Sequence, residues 1–374
     1  MRFADIPGSV FIKEKLIQSI SRGKVPHAQL FLGKEGTLNL PMALAYATYL
    51  HCENKGETDA CGTCSACNKS LKYIHPDTNF VFPVGNLKGD KPQDQFKAEM
   101  LKYWRTFLLE QPFGGLSDWI NFHGGKDKQV NISRDEGREI IKALSLKSFE
   151  SPYKVMIIWQ PEYMHPSAAS GILKILEEPP ANTIFILVTN DKGKLLPTIV
   201  SRTQVLQIPM LSDEDLGKYL AATQKLDEPR LRKIIQLACG NLNLALALID
   251  TEEDHNQELF ADWMRACIKK DYAKLVGLSE DFHELPKLRQ RDLLQYSLTM
   301  MRESMLQIAG ATQINRAKGG ELKLIHDFSK VLNIPKIEKS AQLIGDSEFF
   351  LERNGSAKMI FLDLSLQIAR IINP

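Results

Sequence analysis

No stretch of this chain approaches the ~20 consecutive apolar residues that a membrane-spanning helix requires. Its amino terminus also lacks the apolar core of a secretion signal. A surplus of either charge is missing too. The 47 Lys and Arg against 45 Asp and Glu leave a formal charge of +2, too little to bind nucleic acid over the whole surface, although a local basic face stays open. No heptad run is long enough for a coiled coil. Cysteine is scarce, six in 374 residues, but four of the six lie between Cys52 and Cys67. These absences lead to the expectation of a cytoplasmic protein, and the length of 374 residues to that of two or three domains. In a reducing compartment, clustered cysteines favour a metal over disulfides.

The four clustered cysteines are Cys52, Cys61, Cys64 and Cys67, spaced C-x8-C-x2-C-x2-C. Each C-x2-C turn lets neighbouring sulfurs face one centre, and four thiolates can surround Zn²⁺ tetrahedrally at ~2.3 Å. Such a shell is full and leaves no position for a reacting water, so the expected role is structural. Cys239 and Cys267 stand alone and read as core residues.

Apolar content is concentrated in two runs, Tyr153 to Gln160 and Thr183 to Asn190. A helix signal separates them, Ser167 to Glu178, stopped by Pro179-Pro180. Near-continuous apolar runs around a helix predict neighbouring strands of a buried parallel sheet. Chemistry in such sheets gathers at the carboxyl ends of the strands, here Trp159-Gln160 and Thr189-Asn190. Another short strand, Val25 to Gly33, leads into Gly33-Lys34-Glu35-Gly36-Thr37-Leu38-Asn39-Leu40, between strand and helix, where a phosphate loop belongs. A working loop is G-x-x-x-x-G-K-[ST]. Aligned on the strand and Gly33, the second glycine, the lysine and the hydroxyl are replaced by Leu38, Asn39 and Leu40. Gly33, Gly36 and Asn39 therefore mark a degenerate phosphate loop. His27 has no partner base or nucleophile nearby and reads as structural. His75-Pro76-Asp77 reads as a turn rather than a metal site. The neighbouring carboxylates Glu177 and Glu178 point apart at a helix end, which excludes paired acid–base catalysis. Residues 84–128 contain an amphipathic helix whose apolar face carries Phe96, Met100, Leu101, Trp104, Phe107 and Leu108, a face expected to pack locally. A capping signature at Ser133-Arg134-Asp135-Glu136 opens a further helix, with Ile140, Ile141 and Leu144 on one side and Arg134, Arg138 and Lys142 on another. That charged side is either a solvated face or one turned to DNA. Arg302, Arg316 and Lys318 have no motif behind them and read as surface.

Leu176-Glu177-Glu178-Pro179-Pro180 and Ser201-Arg202 carry a resemblance. The stretch Tyr153 to Thr203 resembles the core of clamp-loader ATPases of the AAA+ class, as found in bacterial DNA polymerase III. Trp159-Gln160 stands where that family has an acidic pair, and Thr203 stands for a cysteine. Asn243, in Gly240-Asn241-Leu242-Asn243, stands for a sensor arginine.

The resemblance implies an α/β AAA+ core, a parallel sheet with flanking helices. It also implies an inserted zinc module, a small helical lid and an all-α carboxyl-terminal collar domain. The boundaries expected are 1–209 for the core, with the zinc module at 52–67 and an insertion at 84–128, then 210–250 for the lid and 251–374 for the collar. It implies Zn²⁺ as a structural cofactor and ATP not bound. It makes Arg202, with Ser201, an arginine finger acting in a neighbour's ATP site. The implied partners are the gamma/tau and delta loader subunits, with the sliding clamp and primed DNA reached through the assembly. Two alternatives remain at this point. One is an ATPase that uses Lys34 and Glu162 in unusual places; the other is a zinc-dependent adaptor outside replication.

Overall fold

The computed structural model describes residues 1–85, 92–124, 130–134, 136–137, 140, 147–249, 256–285, 287–315, 317, 320–352 and 355–373. It divides into two compact units, Met1–Leu248 and Ile249–Pro374. Arg138, Ile141, Lys142, Leu144, Arg316 and Lys318 lie outside the described residues.

The first unit is built on a five-stranded sheet. Its strands are β1 (Ala28–Leu32), β2 (Thr78–Val81), β5 (Lys154–Trp159), β6 (Thr183–Thr189) and β7 (Gln204–Gln207), in the order β2-β5-β6-β1-β7. Every pairing is parallel. β5 and β6 are buried along their whole length, which is why the sequence shows apolar runs there instead of alternation. A small antiparallel pair, β3 (Val84–Gly85) with β4 (Val130–Asn131), brackets the insertion.

Helices α1 (Val10–Ser21), α2 (Asn39–His51) and α3 (Ser65–Leu71) come before β2. α2 is buried throughout, consistent with its apolar composition, and it packs on β1, β5 and β6. The insertion supplies α4 (Gln93–Glu110) and α5 (Leu116–Phe122). α4 buries Met100, Trp104, Phe107 and Leu108, so its apolar face packs locally as expected, while Phe96 and Leu101 are half-buried. α6 (Pro166–Glu177) crosses between β5 and β6 and buries Ala168, Ala169, Ile172 and Leu176 against the sheet. A short α7 (Pro197–Val200) precedes β7. The small helical lid follows as α8 (Asp213–Thr223), α9 (Glu228–Ala238) and α10 (Leu242–Ile249). Ser212 caps α8, its hydroxyl accepting from the Asp215 N–H at 3.0 Å.

The second unit is all-α. Its helices are α11 (Asn256–Lys269), α12 (Tyr272–Glu284), α13 (Lys287–Ile308), α14 (Gly320–Ser329), α15 (Ile334–Glu352) and α16 (Ala357–Ile372). Its core is aromatic: Phe361 lies between Trp263 (centroids 4.7 Å) and Phe282 (4.2 Å, stacked), and Phe260 meets Tyr296 and Phe328. The Trp263 indole N–H donates to Ser365 Oγ at 2.8 Å, so this polar edge is satisfied inside the core. The architecture is the one expected, a parallel α/β core followed by a small helical lid and an all-α carboxyl-terminal unit.

One expectation is overturned. Cys239 is exposed and not a core residue. It ends α9 in the left-handed conformation (φ 48°), where the turning chain carries the side chain outward. Cys267 is buried, and burial pushes its thiol up to about 12.

Candidate functional site

The carboxyl ends of β1, β5 and β6 lie side by side, since Leu32 is in register with Thr189 and Trp159 with Val188. Residues 33–40, expected from the sequence to be a degenerate phosphate loop, leave β1 at this edge. Gly36 needs its glycine: its φ is +83°, and a Cβ there would come 2.2 Å from the Asn241 side chain of the lid. The lid therefore closes directly on this loop. Gly240, which starts the lid's last turn, is equally constrained, with φ +85° and the Leu211 carbonyl 2.3 Å from an added Cβ.

Asn39, Trp159 and Asn243, which the resemblance sets in the places of nucleotide-handling groups, are each engaged by the protein itself. The Asn39 amide nitrogen lies 3.1 Å from both the Thr189 carbonyl and Asn190 Oδ1, which ties the loop to the end of β6. Trp159 is buried and packs against Trp104 (centroids 5.0 Å) and Phe107 (6.5 Å) of the insertion. Asn243 of the lid donates to Asp118 Oδ2 of α5 at 2.7 Å. Glu162 is turned to the same edge, and the Thr189 hydroxyl donates to its carboxylate at 3.0 Å. Burial pushes the Glu162 carboxyl up, against the Thr189 hydrogen bond that favours its charged form. His27 has a structural contact, its Nε2 lying 3.2 Å from the Leu176 carbonyl. Asp77 likewise serves a turn. Its carboxylate accepts the backbone N–H groups of Phe149 (2.5 Å), Glu150 (2.9 Å) and Ser151 (2.8 Å). Burial opposes its charge, but these three donors outweigh burial and hold the carboxyl below its ordinary range.

Ser201 and Arg202 follow α7 at an exposed corner. The Ser201 hydroxyl donates to the Thr198 carbonyl at 3.1 Å, and Arg202 Nη1 donates to the same carbonyl at 3.0 Å. Arg202 Nη2 stands 2.5 Å from Glu177 Oε1. The two motifs, far apart in sequence, thus meet as one ion pair. With side chains 36% and 49% exposed, that pair is a weak one of about 0–1 kcal/mol, which an anion can displace.

The four cysteines converge as their spacing predicts. Their sulfurs all lie within 4.8 Å of one another, and those of Cys61 and Cys67 are 3.9 Å apart. A tetrahedron with ~2.3 Å metal–sulfur bonds has edges of about 3.8 Å, so the cluster fits a tetrahedral ion. Backbone N–H groups of Cys61, Cys64 and Cys67 point at the sulfurs of Cys52, Cys61 and Cys64 at 3.3, 3.4 and 3.4 Å. Those donors favour thiolates; the N–H groups of Thr63 and Cys64 hold the Cys61 thiol down to about 6. Burial pushes Cys52 and Cys67 up, a cost that a divalent cation among them would offset. The module holds the amino-terminal turn, since Asp59 accepts the N–H groups of Phe3 (3.0 Å) and Ala4 (2.8 Å).

Sequence reasoning did not identify Trp104, Asp118 or Glu177 as parts of these sites. Only Glu177 had a signal, its place in the Leu-Glu-Glu-Pro-Pro motif.

The family model described as "DNA polymerase III, delta subunit" matches residues 9–212. Among curated relatives, the DNA polymerase III subunit delta' of Bacillus subtilis is 25% identical over 273 residues, 73% of this chain and 64% of that protein. The subunit delta' of Escherichia coli is 23% identical over 303 residues, 80% of this chain and 76% of that protein. The subunit tau of Bacillus subtilis is 28% identical over 254 residues, 67% of this chain but only 37% of its own length. The chain thus spans less than two thirds of the tau and Bacillus delta' relatives. A match over more than half the chain, which takes in the parallel sheet, residues 33–40 and Arg202, shows that this chain belongs to the delta-subunit family of DNA polymerase III, the clamp-loader subunits of that polymerase.

Proposed function

We propose that this chain is a non-catalytic clamp-loader subunit of the delta-prime kind. It stands at one end of a loader ring, completes a neighbouring subunit's ATP site with Arg202, and helps place the sliding clamp on primed DNA. The observation that carries the reading is the state of its own nucleotide edge. Asn39, Trp159 and Asn243 occupy the places of lysine, acid and sensor arginine, and each is engaged by the protein itself. Trp159 and Gln160, at the positions of the acidic pair, carry no carboxylate to hold Mg²⁺, and Asn39 carries no charge to neutralise a γ-phosphate.

Arg202 has the opposite character. It is exposed, held by a weak ion pair, and anchored through Thr198 at a fixed corner. A guanidinium brought to a neighbour's γ-phosphate stabilises the charge that develops during transfer, an effect worth ~10³–10⁵ in rate in other phosphoryl-transfer enzymes. The half-exposed pair with Glu177 is weak enough to be exchanged for a phosphate, which a guanidinium can grip bidentately. The partners are the gamma/tau and delta subunits, and the setting is the cytoplasm. We assign the core to 1–209, the lid to 210–250 and an oligomerising collar to 251–374. Cys52, Cys61, Cys64 and Cys67 hold a structural Zn²⁺.

The test is DNA-stimulated ATP hydrolysis by a reconstituted loader carrying this chain or its Arg202→Ala form, with assembly verified as equal. A drop of tenfold or more supports the finger. An unchanged rate in an intact assembly removes Arg202 from any ATP site.

A further inference from the structure

The insertion absorbs none of the loader chemistry, yet it touches two of the three degenerate positions. α4 and α5 sit against the carboxyl end of the sheet through an aromatic cluster. Trp104 stacks on Phe82 beyond β2 (4.4 Å) and meets Trp159 at the end of β5 (5.0 Å), and Trp119 stands edge-on to both Phe82 and Trp104. The indole N–H of Trp119 donates to the Pro83 carbonyl at 2.7 Å, and Arg105 Nε donates to the Tyr73 carbonyl at 3.0 Å. His123 Nδ1 lies 2.6 Å from the Trp119 carbonyl, so it carries the proton, and Nε2 is left to accept from the Gly85 N–H at 3.4 Å. One end of the insertion is thus fixed to the core.

Its other end reaches the lid. Asp118 accepts from Asn243 of α10 at 2.7 Å while capping α5 through the Gly115 N–H, also at 2.7 Å. Phe113 meets Tyr219 of α8 edge-on, with centroids 5.8 Å apart. In a nucleotide switch the ligand bridges core and lid. Here a covalent part of the chain makes the bridge, from the end of β5 to the first turn of α10.

We propose that residues 92–124 are a built-in strut that takes the place of nucleotide and holds the lid on the core whether or not ATP is present. The inference rests on the reading of the phosphate edge as degenerate. The strut removes the entropy loss of recruiting a ligand, because the bridging group is already tethered and packed. The subunit's lid then keeps one arrangement while its neighbours bind and hydrolyse ATP.

The experiment is hydrogen–deuterium exchange on the full chain for the wild type, Asp118→Ala, Asn243→Ala and the double variant, each with and without ATP and Mg²⁺. A charged hydrogen bond is worth about 1.5–3 kcal/mol, or roughly a tenfold or greater rise in opening. Each single change should therefore speed exchange in α9 and α10 about tenfold and leave β1 and β6 unchanged. Both act on one contact, so the double variant should add little beyond either single one. Asn243→Ala leaves α5 and its cap untouched, so it reports on the contact even if Asp118→Ala disturbs the insertion. Unchanged lid exchange in both single variants, or additive effects in the double, overturns the strut. Slower exchange of residues 33–40 in the wild type on adding ATP and Mg²⁺ overturns instead the reading of that loop as degenerate.

Discussion

At the scale of single residues, this protein uses buried polar side chains as fasteners between segments distant in sequence. His51 closes α2 among Ser151, whose Oγ is 2.7 Å from Nδ1, and Thr78, whose Oγ1 is 2.9 Å from Nε2. Its ring is stacked on His75 at 4.0 Å. Burial, with the neighbouring His75 adding to it, drives the His51 pKa down to about 3. The unfolded chain binds a proton at this residue below about pH 6.5 and the folded chain does not, so stability must fall as pH is lowered from there toward 3. Urea titrations at pH 7.5 and pH 5 should show the wild type losing up to about 2 kcal/mol more than His51→Gln. The difference between the two proteins removes acid effects they share. An equal loss in both would show that His51 titrates normally in the fold.

At the scale of elements, the segment from Cys52 to Leu71 has too little apolar surface to fold by itself. A four-sulfur cluster supplies what a core does not, and α3 begins at two of its ligands, with Cys64 as its cap. Stripping the metal with a strong chelator, or changing Cys64→Ser, should abolish a one-to-one zinc content measured by mass spectrometry. It should also lower the melting temperature by roughly 5–15 °C. Because Asp59 holds the Phe3 and Ala4 amides, the amino-terminal turn should lose exchange protection together with the module. Full stability in a zinc-free protein would leave the four cysteines as an apolar cluster of thiols. The insertion depends on the opposite resource: Trp104 and Trp119 are fully buried, and their rings supply a local core.

At the scale of the whole molecule, the two units have separate cores. The aromatic group of Trp263, Phe282 and Phe361 and that of Phe260, Tyr296 and Phe328 lie wholly within residues 249–374. A protein made of those residues alone should therefore be helical by circular dichroism and melt cooperatively. A non-cooperative transition would mean that its core is incomplete without the first unit. In the first unit, the contrast between Asn39, Trp159 and Asn243, held by contacts within the chain, and an exposed Arg202 is a property of the assembled domain, since neither is visible in any one element.

Local order was legible in the sequence. The buried strands showed as apolar runs and the cysteine module as a spacing of neighbouring residues. Each of these signals spans a few residues and is set by backbone period or ligand geometry. Cys239 misled because cysteines are usually buried, whereas the left-handed turn that exposes it is decided by the residue's place at a helix end. Two contacts at the sheet's edge join positions more than a hundred residues apart: Asn39 with Asn190, Asp118 with Asn243. Trp104 meets Trp159 across a strand boundary in the same way. No period or motif in the chain records such pairings. They exist because the parallel sheet brings its carboxyl ends to one edge and the insertion and lid close over it, so these contacts were decided by tertiary structure alone.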